Sequence, residues 1–176
     1  MSRTRRKPPP LTAQTLEKLA LRYVERYATT RAKLAGYLSR KLTERGFEDG
    51  TPDIDGIVAR FAEFGYVDDR AFGEARARSM ARRGLGARRV TMALRQAGIE
   101  GEDADALTPE IEERAAETAI AFARRRRIGP FGAEEADRAT QEKQIAAMVR
   151  AGHGFEIART LVRLAPGEDC SFLLDP

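Results

Sequence analysis

LAGYLSRKLTERGF (residues 34–47), ARRVTMALRQAGI (87–99) and DRATQEKQIAAMVRAGH (137–153) share one register. Each is a helical run closed by a glycine and one further residue: Gly46–Phe47, Gly98–Ile99 and Gly152–His153. Counting back from that closing residue, Leu94 and Val90 stand where Leu42 and Leu38 stand, and Met148 takes the place of Leu94. A glycine at this point suits the left-handed turn that ends many helices, which strains any residue carrying a Cβ. One pattern recurring three times predicts copies of a single supersecondary unit.

The flanking sequence supplies two more helices per copy. Ahead of the first stretch, Leu16, Leu19, Ala20, Tyr23, Val24 and Tyr27 recur at helical spacing behind Thr12, a residue type that caps helix starts. After it, Pro52 precedes an apolar face of Ile54, Ile57, Val58, Phe61 and Phe64, and Gly65 closes the run. In the second copy DDRAFGEARARSMARRGLG (68–86) supplies the leading helix, with Asp68 or Asp69 as its cap and Gly84 and Gly86 at its end. The helix that follows, EDADALTPEIEER (102–114), is expected to be short, because Pro109 interrupts it and only Ala104, Leu107 and Ile111 offer an apolar face. EERAAETAIAFARRRR (112–127) and GFEIARTLVRLA (154–165) complete the third copy.

The expected architecture is all-α: three tandem three-helix repeats, over residues 11–66, 67–113 and 114–165, forming an elongated, curved array. A basic flexible arm at 1–10 precedes them. A tail at 166–176 follows, in which Phe172, Leu173 and Leu174 are the residues able to dock as an apolar plug.

Composition supports helices and narrows the function. The 176 residues are rich in Ala, Arg, Leu and Glu, and contain no tryptophan. Cys170 is the only cysteine, so no internal disulfide can form and a reducing compartment fits. With no apolar run near the ~20 residues a membrane span needs, and no apolar stretch in MSRTRRKPPPL, the cytoplasm is the expected location. The net charge of +4 conceals alternating blocks. Twelve basic residues face four acids over 1–48, one faces six over 49–69, eight face one over 70–98, and one faces eight over 99–117.

Catalytic constellations are not evident. His153 is the only histidine, and with Cys170 the only thiol, a Cys/His mechanism would need these two to meet a third orienting group. A helix-terminal histidine standing where Phe47 and Ile99 stand explains His153 without chemistry. GLGARR and GPFGAEE lack the spacing of phosphate loops, and the pair Asp68 and Asp69 is better read as a cap than as a metal site. No enzyme, cofactor or metal is expected.

What remains is basic surface: Arg76, Arg82, Arg83, Arg88, Arg89 and Arg95 around the turn of the second repeat, and the run Arg124, Arg125, Arg126 and Arg127 in the third. Guanidinium groups in this density attract phosphate or carboxylate, so the expected partner is acidic, and these ten are the candidate partner- or DNA-binding residues. The two-helix turn around Gly84 and Gly86 also has the outline of a helix-turn-helix, so a DNA-binding transcriptional repressor is an open alternative.

The stretch EFGYVDDRAFGEARARSMARRGLGARRVTMALRQAGI (63–99) resembles the RecX family of bacterial regulators, whose signature is a glycine-aromatic-aliphatic-Asp/Asn-Asp run followed by an Arg- and Gly-rich turn. Gly65, Tyr66, Val67, Asp68, Asp69 and Phe72 stand on that signature, and Gly84, Gly86, Arg88, Arg89, Leu94, Gly98 and Ile99 on the block after it. YATTRAKLAGYLSRKLTERGF (27–47) is similar to the family's opening block. Ala93, before Leu94 in the second repeat, and Lys33 in the first depart from the family pattern, each standing where an acid is usual. A monomer is expected, and the resemblance implies a negative regulator of the recombinase RecA. It implies binding in the groove of the RecA filament on single-stranded DNA and inhibition of ATP hydrolysis, strand exchange and the co-protease activity behind the SOS response. It also implies a largely structural role for Gly65, Tyr66, Asp68, Asp69, Phe72, Gly84, Gly86 and Gly98.

Overall fold

The computed structural model describes residues 9–174, so the arm expected at 1–10 lies outside the described residues except for Pro9 and Pro10. Among the described residues the chain is all-α. The helices are α1 (Ala13–Arg26), α2 (Arg31–Arg45), α3 (Ile54–Glu63), α4 (Asp69–Arg82), α5 (Ala87–Gln96), α6 (Glu102–Glu113), α7 (Ala115–Arg126), α8 (Arg138–Arg150) and α9 (Phe155–Arg163). Their order is that of three three-helix repeats. By contacts the chain forms two compact units, Met1–Phe72 with Ala97–Ile99, and Gly73–Gln96 with Glu100–Pro176.

In the first unit, Thr12 begins α1 through a capping box: its hydroxyl accepts from Thr15 N, and the Thr15 hydroxyl accepts from Thr12 N at 2.7 Å. Leu11 pairs in parallel with Phe47 through bonds to Gly46 O and from Glu48 N, which ties the start of α1 to the end of α2. Leu11, Leu16, Ala20, Leu34, Leu38, Ile57, Val58 and Val67 make the core. Burial of those side chains against one another is the main force holding α1 to α3 together. Asp53 caps α3, so Pro52 lies just ahead of the helix and not within its first turn. Two residues expected on buried faces are on the surface: Phe64 is 73% exposed and Tyr27 is 48% exposed, since both follow the last turn of their helices.

The two signature aspartates divide the capping between two helices. Asp68 accepts from Ala71 N at 2.8 Å and starts α4. Asp69, buried, accepts from Arg31 N at 2.8 Å and so serves the first turn of α2, 38 residues away in sequence. The Thr30 hydroxyl accepts from Lys33 N and donates to Ala97 O at 2.5 Å. Beyond Ala97, Gly98 has φ 77° and packs so close to Ala32 that a Cβ would overlap the alanine methyl.

The second unit repeats this joint in backbone atoms. Gly86, the residue ahead of α5, donates to Ala151 O at 2.9 Å, and Arg88 N donates to Gly152 O at 3.2 Å. Gly152 has φ 99°, and a Cβ on Gly86 would overlap the Gly152 carbonyl. Met148, Ala158, Leu161 and Val162 pack with Ala119, Phe122, Ala123 and Ile128 in the core of the third repeat.

The expectation of a short, interrupted sixth helix is corrected. α6 runs unbroken through Pro109 for 12 residues. Leu107 and Ile111 are buried while Pro109 faces solvent, so the proline removes one backbone donor without disturbing packing. Glu102, Asp103 and Asp105 in the first turn complement the helix dipole. In the tail only Leu173 of the expected plug packs on the core, together with Cys170, while Phe172 and Leu174 are about half exposed. The tail is anchored by Gly167 N, which donates to Pro130 O at 2.9 Å.

Gly86→Ala should destabilise the protein by about 1–3 kcal/mol, since neither backbone at the joint can retreat. Gly36→Ala, within α2 and with only ordinary contacts around its Cβ, should stabilise by about 0.4–1 kcal/mol. Urea unfolding of the two variants measures the opposite signs.

Candidate functional site

All ten candidate arginines lie in the second unit and all are exposed. Arg76 and Arg82 belong to α4, Arg83 follows its last turn, Arg88, Arg89 and Arg95 belong to α5, and Arg124 to Arg126 form the end of α7. Arg127 is the C-cap of α7, in the left-handed region at φ 54°.

The structure joins some of these and separates others. The Arg125 guanidinium donates to the carbonyl of Arg83, bringing together the carboxyl ends of α4 and α7. That carbonyl end carries the negative pole of the α4 dipole, which favours the guanidinium. Arg124 lies over the Phe131 ring at 5.1 Å and Arg126 over Phe122 at 5.8 Å. Three of the four consecutive arginines therefore have intramolecular contacts that fix their stems and leave their charge at the surface. Arg88 and Arg95, seven residues apart, share one side of α5 and flank a cleft with Met92 and with Glu112 of α6. Arg82 lines a separate hollow with Arg78, Arg114 and Glu117. Arg76 stands two turns up α4 from Arg83.

Pairing distinguishes these ten from their neighbours. Arg78 is held by Glu74 at 3.5 Å and Arg114 by Glu110 at 3.0 Å. Among the described residues, none of the ten candidates forms an ion pair with a carboxylate. Unpaired exposed guanidinium groups give the second unit a positive surface able to take phosphate or carboxylate.

Comparison with known proteins gives the chain a family. The regulatory protein RecX of Myxococcus xanthus is 32% identical over 165 residues, covering 86% of each chain. That of Agrobacterium fabrum is 31% identical over 161 residues, covering 89% of this chain and 86% of the relative. The chain belongs to the RecX family of regulatory proteins. A family model described as RecX, second three-helix domain, matches residues 68–107. The crystal structure of RecX from Lactobacillus salivarius superposes with a TM-score of 0.60 at 20% identity, over 86% of this chain and 94% of that one. A further crystal structure of regulatory protein RecX gives 0.58 at 22% identity, over 85% and 70%. These two share the fold.

The positions matching the RecX signature have distinct placements. Gly65 takes φ 76° and turns the chain from α3 toward α4. Tyr66 is half exposed against the Phe61 ring at 5.5 Å, while Val67 is buried. Phe72 lies under the Lys33 ammonium at 4.5 Å, so one departure from the family pattern has become a cation–π contact. Ala93, the other departure, is partly buried on α5. Gly84 has φ 66° and packs against the backbone of Phe122. Sequence reasoning missed the split roles of Asp68 and Asp69. Tyr23 packs partly on the core as its helical spacing implies, whereas Tyr27 lies past the last turn of α1, beside Arg22 and Arg26.

His153 is 1% exposed. Its Nε2 donates to Gly84 O at 3.1 Å, and its ring tilts against Phe122 at 5.3 Å. It thus links the turn after α8 to the turn after α4, as a core residue with a polar bond. Among the described residues no cluster of three or more His, Cys, Asp or Glu could hold a metal, and no helix is long and apolar enough to cross a membrane.

Burial holds the His153 pKa below its ordinary value, outweighing the bond to Gly84. The unfolded chain therefore takes up the proton first as pH falls, so the stabilising contribution is complete above pH ~6.5 and is lost on acidification toward the folded-state value. Denaturant unfolding should show lower stability at pH 5.5 than at pH 7.5. His153→Gln, in a chain with no other histidine, should remove most of that difference; an equal fall in the variant would contradict the assignment.

Proposed function

We propose that this chain is a non-enzymatic negative regulator of the RecA recombinase. It binds as a monomer in the groove of the RecA filament on single-stranded DNA, in the cytoplasm, and inhibits ATP hydrolysis, strand exchange and co-protease activity. Family membership carries the reading: relatives named as regulatory proteins match across most of both chains. The unpaired arginine surface of the second unit supports it in kind, because a nucleoprotein filament presents phosphates and acidic protein surface together. The sequence repeats at 11–66, 67–113 and 114–165, with the tail at 166–176, are the proposed modules, each making weak contacts that multiply through effective concentration. DNA repair, recombination and the SOS response are the processes such a regulator would restrain.

The test is RecA-catalysed ATP hydrolysis on single-stranded DNA at fixed salt. Addition at fewer copies than RecA should lower the rate. Reversal of Arg82, Arg83, Arg88 and Arg89 to Glu should raise the half-inhibitory concentration by about tenfold or more, with helicity unchanged by circular dichroism. Full inhibition by the reversed protein would count against the arginine surface. Preference for one duplex operator, with no effect on RecA, would favour the helix-turn-helix repressor instead.

A further inference from the structure

The first unit carries a second basic surface of different chemistry, whose lining includes none of the ten arginines. Tyr23, Tyr27 and Tyr37 line a shallow groove of about 570 Å³ along α1 and α2, with Arg22, Arg26 and Lys41 at its margins. The rings form one assembly: Tyr23 stacks on Tyr37 at 4.3 Å and 13°, and Tyr27 tilts against Tyr23 at 5.4 Å. The Arg26 guanidinium stands 5.4 Å from the Tyr27 centroid, and the Lys41 ammonium 5.9 Å from that of Tyr37.

Tyr23 and Tyr37 rest partly against the core of the first unit and are held by it, while Tyr27 at the end of the groove is 48% exposed. No carboxylate lines the groove. Glu44 sits beyond it and pairs with Lys41 at 2.6 Å, leaving Arg22 and Arg26 as the cations without an acidic partner among the described residues. Glu25 is two residues from both Tyr23 and Tyr27, which at 3.6 residues per turn places it on the opposite side of α1. Two arginines one turn apart, beside an open tyrosine face, match the needs of a flexible charged strand with exposed bases. The bases stack on the rings and the phosphates meet the cations. A duplex, whose bases are already stacked, gains nothing from the rings.

We infer that the α1–α2 groove is a binding site for single-stranded DNA, with a base stacked on Tyr27 and the flanking phosphates held by Arg22 and Arg26. The choice of DNA rests on the proposed place of this chain on a filament built around single-stranded DNA; the recognition of an unpaired, charged strand rests on the groove alone.

The test is fluorescence anisotropy of a labelled oligo(dT) with the full chain, without RecA. Tyr27→Ala should weaken binding by about tenfold, within the range for loss of one stacked base, and Tyr27→Phe should retain it. Arg22→Glu with Arg26→Glu should weaken it further and flatten the salt dependence. Titration of unlabelled oligo(dT) should quench the intrinsic tyrosine fluorescence, which no tryptophan masks. Unchanged affinity in Tyr27→Ala, equal affinity for duplex, or tighter binding of oligo(rU) than of oligo(dT) would overturn the inference. A chain that inhibits RecA but does not bind oligo(dT) would refute this site and leave the proposed function standing. A chain that binds oligo(dT) through Tyr27 without affecting RecA would do the reverse.

Discussion

The joint at the amino end of α2, and again at that of α5, is the constraint on which the fold depends. In the first unit, the hydroxyl of Thr30, ahead of α2, bonds the carbonyl just before Gly98. In the second, the amide of Gly86, ahead of α5, bonds the carbonyl just before Gly152. The helix start of one repeat is thus tied to the glycine turn of the next, and the turn must lie in the left-handed region for its carbonyl to be presented. Gly46, Gly98 and Gly152 all take positive φ, and at the last two a Cβ would strike the neighbouring backbone or methyl group. This is why a small residue recurs at a spacing that composition alone would not demand.

Because the joints use backbone groups, one buried hydroxyl and one buried carboxylate, the exposed helix surfaces carry little of the folding burden. The arginines of α4, α5 and α7 are then available for a partner. Arg125 and Arg83 make the division visible, since one guanidinium serves a helix end while its neighbours keep their charge at the surface. His153, the residue most open to a catalytic reading, belongs to the structural side of this division, fixed between Gly84 and Phe122.

Local signals were legible in the sequence and distant ones were not. Thr12, Thr30 and Asp68 announce helix starts through their own neighbours three residues on, and the glycine register announces the repeats. Asp69 could not be assigned the same way, because its partner Arg31 N is fixed only by tertiary structure. Pro109 misled because a proline rule weighs the lost donor and not the packing of Leu107 and Ile111 on the other side. Phe64 and Tyr27 obey the helical period by position, yet each lies just past its last turn, where periodicity no longer predicts burial. The family resemblance named a partner class that charge patterning could only describe as acidic.

The central claim is that this chain acts on RecA assembled on DNA, and the most direct measurement is co-sedimentation with preformed RecA filaments on single-stranded DNA. The account predicts saturable recovery in the pellet at fewer copies than RecA, beyond what the same DNA retains without RecA. A chain that stays in the supernatant with intact filaments, or that pellets no better with filaments than with DNA alone, would contradict it.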